Sequence, residues 1–314
     1  METVIAITLP IFLVVGLGFA VTKAGLFSSP DMRIFGRFVI SIALPALLFN
    51  AIAKRDVAEV FDPWFMGLYL AASLLVMAAG YIWFYKIRGM ALERAGICMM
   101  GAACSNSGYM AFPILLLAYP NLAPKILAMC LLVENLIMIP LVLTLVAIGR
   151  GKGRRLGPMV AGIIRDLLRR PLILALIAGL AWSLLKLPLP EAADRGLTMI
   201  STASVALALF VIGGSLAGIA LRGNVALAAQ IAVGKLILHP AMGLLVLALA
   251  ALLGGPVLAP DLRACLLIAT AVPMLGVYPI FAQEQGMEGL ASLALLITTG
   301  LSFFTLSLAL GLLM

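Results

Sequence analysis

The stretch Cys104-Ser105-Asn106-Ser107-Gly108-Tyr109, followed by Pro113, is a polar interruption in an otherwise apolar segment. Ile97-Cys98-Met99-Met100 precedes it and Ile114-Leu115-Leu116-Leu117 follows it, so both flanks suit lipid or a buried core. Irregular backbone is tolerated at membrane depth only where it is buried in protein or lines a water-filled cavity. The stretch therefore predicts half of a binding site in a membrane transporter.

The composition is that of a polytopic membrane protein. Of 314 residues, 64% are hydrophobic and 11% are charged, and the mean hydropathy is +1.20. At about 20 residues per span, the chain predicts an all-α protein of ten transmembrane helices, with no separate soluble domain. The predicted spans are 4–22, 33–53, 64–85, 94–118, 124–148, 171–187, 196–218, 225–253, 262–283 and 288–313.

The distribution of basic residues predicts the topology. Residues 150–170 are rich in Lys and Arg and contain one acid, Asp166, so the positive-inside rule places this loop in the cytoplasm. Five spans on each side then put both termini on the extracytoplasmic side. Because an odd number of spans per half makes a repeat inverted, residues 1–149 and 171–314 are predicted to be two inverted five-helix repeats. The linker between them is predicted to contain an amphipathic helix over residues 159–168 that lies on the bilayer.

The net charge of +8 follows from Lys and Arg at helix ends, so we expect no nucleic-acid partner. The start of the chain lacks the basic region of a signal peptide, and the first span is predicted to be retained. The spacing of the four cysteines matches neither a zinc site nor a disulfide framework, and no metal or cofactor is predicted.

The second half contains a matching interruption in its fourth span, at residues 269–279. Gly and Pro break the apolar helix there, and paired interruptions at corresponding positions indicate a transporter's binding site. Each break exposes backbone N–H groups at the start of a helix, which attract anions. The candidate substrate-binding residues are Ser105, Asn106, Ser107, Tyr109, Pro113, Pro273, Gly276, Tyr278 and Pro279.

Asn106 can donate and accept hydrogen bonds through its amide, and the neighbouring serines add hydroxyl groups, so the segment can bind a carboxylate without a charge of its own. The alternative is that these residues satisfy a helix kink and that the prolines only bend their helices.

Three ionisable residues fall inside predicted spans, namely Glu134, Lys235 and His239. Such residues are costly in a membrane and are usually functional or paired. Lys235 and His239 are four residues apart and share one helix face. Two interpretations stay open: a structural ion pair between Glu134 and Lys235, or a proton path through Glu134 or His239.

Three motifs resemble the auxin efflux carrier family: Leu44-Pro45-Ala46-Leu47-Leu48-Phe49 in the second span, Ser105–Tyr109 with Pro113 in the fourth, and a Pro-broken ninth span. The resemblance implies a fold similar to that of bile acid sodium symporters, in which broken helices 4 and 9 cross. It also implies an elevator mechanism, with spans one, two, six and seven as a scaffold and homodimer contact, and coupling to protons or sodium.

Within that family, residues 273–280 look like the bacterial malonate transporter branch. The resemblance therefore implies an integral protein of the bacterial inner membrane that moves a small dicarboxylate. Many members carry an Asn shortly after the ninth-span Pro, where this chain has Gly276, Val277 and Tyr278. Tyr278 is expected to supply the missing polar contact.

Other functions remain as alternatives. The substrate could be another organic anion, auxin-like or bile-acid-like. A channel is a weaker alternative, because channels need filters of carbonyl or charge rings. An intramembrane protease is disfavoured because no Gly stands two residues before Ser107 and the chain has no HExxH motif. The chain is predicted not to be an enzyme.

Overall fold

The computed structural model describes residues 2–55, 61–151, 162, 165, 168–218 and 224–313. The regular elements within these ranges are helices, with one isolated β-bridge between them. The helices are α1 Glu2–Lys23, α2 Ser29–Ala53, α3 Pro63–Ile87, α4 Leu92–Ala103, α5 Ser107–Ala118, α6 Ala123–Gly149, α7 Pro171–Leu184, α8 Glu191–Ala217, α9 Val225–Leu252, α10 Pro260–Ala271, α11 Tyr278–Gln283 and α12 Glu288–Leu313.

Seven helices in the described part of the chain are long and apolar enough to cross a membrane: α1, α2, α3, α6, α8, α9 and α12. The protein is thus an all-helical polytopic membrane protein. The predicted sixth span is the shorter helix α7, and the predicted fourth and ninth spans are the interrupted pairs α4/α5 and α10/α11. Most of the amphipathic helix predicted over 159–168 lies outside the described residues.

Five of the long or broken helices contain a widened π-helical turn. These turns are Val39–Ala43 in α2, Tyr81–Ile87 in α3, Ser107–Ala111 in α5, Val133–Met138 in α6 and Gly234–Leu238 in α9. All except the turn in α3 are followed two residues later by a proline. Proline lacks an N–H and its ring clashes with the carbonyl group four residues earlier, so the preceding turn opens. The prolines therefore shape the segments that carry Ser107, Glu134 and Lys235.

The helices pack in two groups. Helices α1, α2, α7 and α8 pack mainly on one another, while α3, α4, α6 and α9 to α12 form a second group, and α5 touches both. In the first group the backbones of α1 and α8 are in direct contact at Gly213. A Cβ atom built on Gly213 would stand 1.8 Å from the carbonyl oxygen of Val15. Only glycine fits there.

Candidate functional site

The two interruptions pass side by side and are joined by backbone hydrogen bonds. We call residues 104–106 together with 272–277 the crossing. The Asn106 N–H donates to the Pro273 carbonyl at 2.9 Å, and the Leu275 N–H donates to the Cys104 carbonyl at 3.2 Å. Ser105 and Met274 form an antiparallel bridge between these bonds. The pairing satisfies backbone groups that the broken helices leave unbonded, so the crossing is held as one unit.

Local sequence explains the extended backbone on each side. Cys104 follows α4 with φ −96° and ψ 126°, and Val272 follows α10 with φ −65° and ψ 158°. Val272 precedes Pro273, and the proline ring disfavours helical backbone at the residue before it. Helix α10 therefore ends where the sequence places its proline.

Asn106 stands at the start of α5, and its side chain lines the adjacent cavity. Its backbone carbonyl accepts from the N–H groups of Met110 and Ala111, both at 3.0 Å. Its side chain is 2% exposed, and its amide makes no hydrogen bond to any residue that the structure describes. Gly276 lies against this amide, since a Cβ atom built on it would be 3.4 Å from Asn106 Nδ2.

The Asn106 cavity, of about 360 Å³, lies between the crossing and the first helix group. The Tyr109 hydroxyl donates to the Gly36 carbonyl at 3.1 Å beside it and so links α5 to α2. The lining residues are Met32, Arg33, Gly36, Arg37, Ile40, Asn106, Tyr109, Val211, Ile212, Ser215, Leu216, Gly276, Val277, Ile280 and Leu295. Sequence reasoning missed Arg33 and Arg37 as cavity residues, because their position at a helix end was ascribed to topology. Their spacing of four residues, which places both on one helix face, was the available signal.

The structure places the remaining candidate residues elsewhere. Pro113 lines a separate cavity of about 520 Å³ between α1, α5 and α8. Ser105 and Tyr278 are wholly buried. Tyr278 packs against Gly101 of α4, where a Cβ atom would come within 2.9 Å of its hydroxyl oxygen. The polar contact expected from Tyr278 is therefore absent from the Asn106 cavity, because its ring points into the α4 interface.

The two other prolines support the crossing through the backbone. Pro273 supplies the carbonyl that accepts from Asn106, and Pro279 is in the first turn of α11. The structure thus brings three of the candidate side chains or positions together at one cavity: Asn106, Tyr109 and Gly276.

Behind the crossing, Glu134 holds the start of α5. Its Oε1 accepts from the hydroxyls of Tyr69 and Ser107, both at 2.6 Å, and its side chain is buried. Ser107 is the first residue of α5, and a carboxylate is stabilised near the partially positive start of a helix. Ser107 thus points to Glu134 rather than into the Asn106 cavity.

Lys235 plays the opposite role at the end of α10. Its ammonium donates to the carbonyl of Thr270 at 2.7 Å and contacts His239 Nδ1 at 2.9 Å. His239 Nε2 lies 3.1 Å from the Ser73 hydroxyl, which donates to the backbone carbonyl of Tyr69 at 2.9 Å. A cation at the last turn of a helix bonds to its free carbonyls and complements its partial negative charge.

Glu134 and Lys235 do not form the direct ion pair that was one of the two sequence-based alternatives. The ion pairs in the described part of the chain are Lys54–Asp194, Arg150–Glu284 and Arg195–Glu191. Each of the two buried charges is instead bonded at a helix end of opposite partial charge.

Comparison with known proteins places the chain among transporters. The model of a family described as "Membrane transport protein" matches residues 3–310. A protein of Rhizobium meliloti (strain 1021) named "Putative malonate transporter" is 26% identical over 307 residues, which are 98% of this chain and 95% of that protein. A protein of Escherichia coli (strain K12) named "Uncharacterized transporter YfdV" is 26% identical over 215 residues, 67% of each chain. Both the crossing and the Asn106 cavity lie within residues 3–310, which the family model matches.

Proposed function

The chain belongs to the membrane transport protein family, and on that premise we propose that it is a secondary active transporter for a small organic anion, a carboxylate like malonate. The resemblance of its motifs to the auxin efflux carrier family is thereby confirmed. The observation that carries the proposal is the unbonded amide of Asn106, which faces a cavity beside two paired helix breaks. The name of the Rhizobium meliloti relative supports malonate as the first substrate to test.

The chemistry of the cavity suits a carboxylate. The Asn106 amide supplies a neutral donor, and the start of α5 supplies partially positive backbone N–H groups. The cavity volume of about 360 Å³ is within the range of small-molecule sites. The donor at the floor of the cavity, the Asn106 amide, carries no charge of its own.

The packing of the helices favours alternating access of the elevator type. We assign α1, α2, α7 and α8 to a scaffold and the second helix group, with the crossing, to a moving transport domain. The Asn106 cavity lies at the boundary between them, where the Tyr109 to Gly36 hydrogen bond is one of few polar links. Movement of the crossing past α2 and α8 would carry a bound anion from one side of the membrane to the other.

The membrane arrangement proposed with this mechanism has ten crossings. Residues 1–149 and 171–314 form two inverted repeats, the basic linker 150–170 is cytoplasmic, and both termini are extracytoplasmic. We propose the bacterial inner membrane as the location and a homodimer formed through the scaffold as the assembly.

We assign Glu134, Lys235 and His239 to holding the crossing in place. Glu134 accepts from the side-chain hydroxyl of Tyr69, whereas the contacts that run from Lys235 through His239 and Ser73 end at the backbone carbonyl of Tyr69. The two sets of contacts therefore share a residue but no atom, which supports a structural role over a proton path between them. Imposed proton and sodium gradients test whether transport is coupled to either ion.

Uptake by reconstituted protein tests the proposed function. Proteoliposomes receive labelled malonate with an imposed proton gradient, an imposed sodium gradient or neither. We expect saturable accumulation above equilibrium with one of the gradients, and competition by unlabelled small carboxylates. Flux that rises linearly with malonate and never exceeds equilibrium would instead indicate a channel, and absence of uptake of any carboxylate would refute the substrate class.

A further inference from the structure

The wall of the Asn106 cavity opposite the crossing carries two arginines. Arg33 and Arg37 are one helical turn apart on α2, and both line the cavity together with Gly36 between them. Both side chains are exposed, whereas Asn106 is nearly inaccessible, so the arginines stand at the open side of the cavity and Asn106 at its depth.

Neither arginine has a partner in the part of the chain that the structure describes. No ion pair or hydrogen bond to a described residue involves the guanidinium of Arg33 or Arg37. The nearest acid along α2, Asp31, is bonded to the N–H and the hydroxyl of Ser28, at 2.7 and 2.6 Å. The described lining of the cavity contains no acidic residue. Among the described residues, the cavity therefore has a positive wall without a counter-charge.

Topology alone does not explain this placement. Positive charge at the cytoplasmic end of a helix favours the proposed membrane orientation whichever way the side chain points. Exposed Arg88 at the end of α3 contributes such a charge without lining the Asn106 cavity. Guanidinium groups match the planar geometry of a carboxylate and bind it with two parallel hydrogen bonds. Two guanidinium groups without a partner among the described residues, on one cavity wall, have the chemistry to bind a carboxylate.

We propose that Arg33 and Arg37 bind one carboxylate of a dianionic substrate while its other carboxylate reaches the amide of Asn106, which makes the protein selective for dicarboxylates over monocarboxylates. This inference rests on the proposed function and specifies its substrate class. Asn106 recognises a carboxylate of either kind of substrate, whereas the arginines distinguish the two by charge.

Binding to the purified full-length protein tests this selectivity. The two ligands are malonate and its monomethyl ester, which share a carbon skeleton and differ by one negative charge. We expect wild type to prefer malonate by about tenfold or more, because hydrogen bonds to a charged group contribute that much. In Arg33→Gln and in Arg37→Gln, malonate affinity should fall about tenfold while monoester affinity stays constant.

Arg88→Gln is the matched control, since it removes an equal charge from a helix end outside the cavity, and it should leave both affinities unchanged. Arg33→Lys and Arg37→Lys keep the charge and should retain part of the preference for malonate. These variants replace the Gln variants if one of the latter fails to fold. Size-exclusion profiles and melting temperatures identify such a failure.

Three results would overturn the inference while leaving the proposed function intact. The double variant Arg33→Gln/Arg37→Gln could keep the wild-type preference for malonate, or it could lose affinity equally for malonate and for the monoester. The third result is a loss of malonate affinity in Arg88→Gln as large as that in the Arg33 and Arg37 variants. If wild type binds neither ligand nor any other carboxylate, the proposed function fails first.

Discussion

Replacement of Glu134 should separate the roles of its charge and of its hydrogen bonds. In Glu134→Ala the hydroxyls of Tyr69 and Ser107 lose their shared acceptor, which each contacts at 2.6 Å in a buried site. Each buried unpaired hydroxyl costs about 1–3 kcal/mol, so the variant should lose about 2–6 kcal/mol of stability. That is a large part of the roughly 5–15 kcal/mol by which typical proteins are stable.

Glu134→Gln keeps a carbonyl oxygen that can accept from both hydroxyls, so its stability loss should be a small fraction of that in Glu134→Ala. Thermal unfolding of the detergent-purified variants, followed by tryptophan fluorescence, measures the difference. If Glu134→Ala has the same melting temperature as wild type, Glu134 does not hold the start of α5. The pH dependence of uptake should also be unchanged in Glu134→Gln, and its loss would favour the proton path instead.

Two further substitutions test the packing and the link between the helix groups. Gly213→Ala should sharply reduce the yield and melting temperature of the folded protein, because the new Cβ would lie 1.8 Å from the Val15 carbonyl oxygen. Gly16→Ala is the control and should leave the melting temperature unchanged, since a Cβ there would have nothing within 4 Å. Equal melting temperatures of the two variants would contradict the α1–α8 contact. Tyr109→Phe removes one hydrogen bond to the Gly36 carbonyl, worth about 1 kcal/mol. It should change the maximal uptake rate several-fold with little change in malonate affinity. A loss of affinity without a change in rate would indicate that the hydroxyl bonds to the substrate instead.

The crossing was largely predictable, because its determinants are local. The polar run at 104–109 and the proline at 273 interrupt apolar helices, and the structure shows non-helical backbone at 104–106 and 272–277. Proline removes a backbone donor and restricts the residue before it, so such a break can be deduced from the sequence without tertiary information.

The orientations of side chains around the crossing were not predictable in the same way. Tyr278 opens a helix of 6 residues, and a short helix has no periodic pattern that fixes which of its faces is buried. Ser107 bonds with Glu134 and Lys235 bonds with Thr270 across different helices, so these contacts depend on packing. The sequence identified Glu134 and Lys235 as costly buried charges, but their partners are helix ends whose positions only the fold determines.

Arg37 and its neighbour Arg33 show a different limit. Basic residues at the end of a span satisfy the positive-inside rule, and this explanation is sufficient in the sequence. Their position on the cavity wall depends on the rotation of α2 about its axis, which its contacts with α8 and α5 determine.

The most direct test of the central claim, that the crossing binds the transported anion, is the affinity of purified protein for labelled malonate in Asn106→Ala. Asn121→Ala is the matched control, because Asn121 is exposed and its described hydrogen bond to Arg55 uses only the backbone carbonyl. We predict that Asn106→Ala expresses normally and loses malonate binding and uptake, while Asn121→Ala keeps both. Normal binding and uptake in Asn106→Ala would contradict the assignment of the site to the crossing.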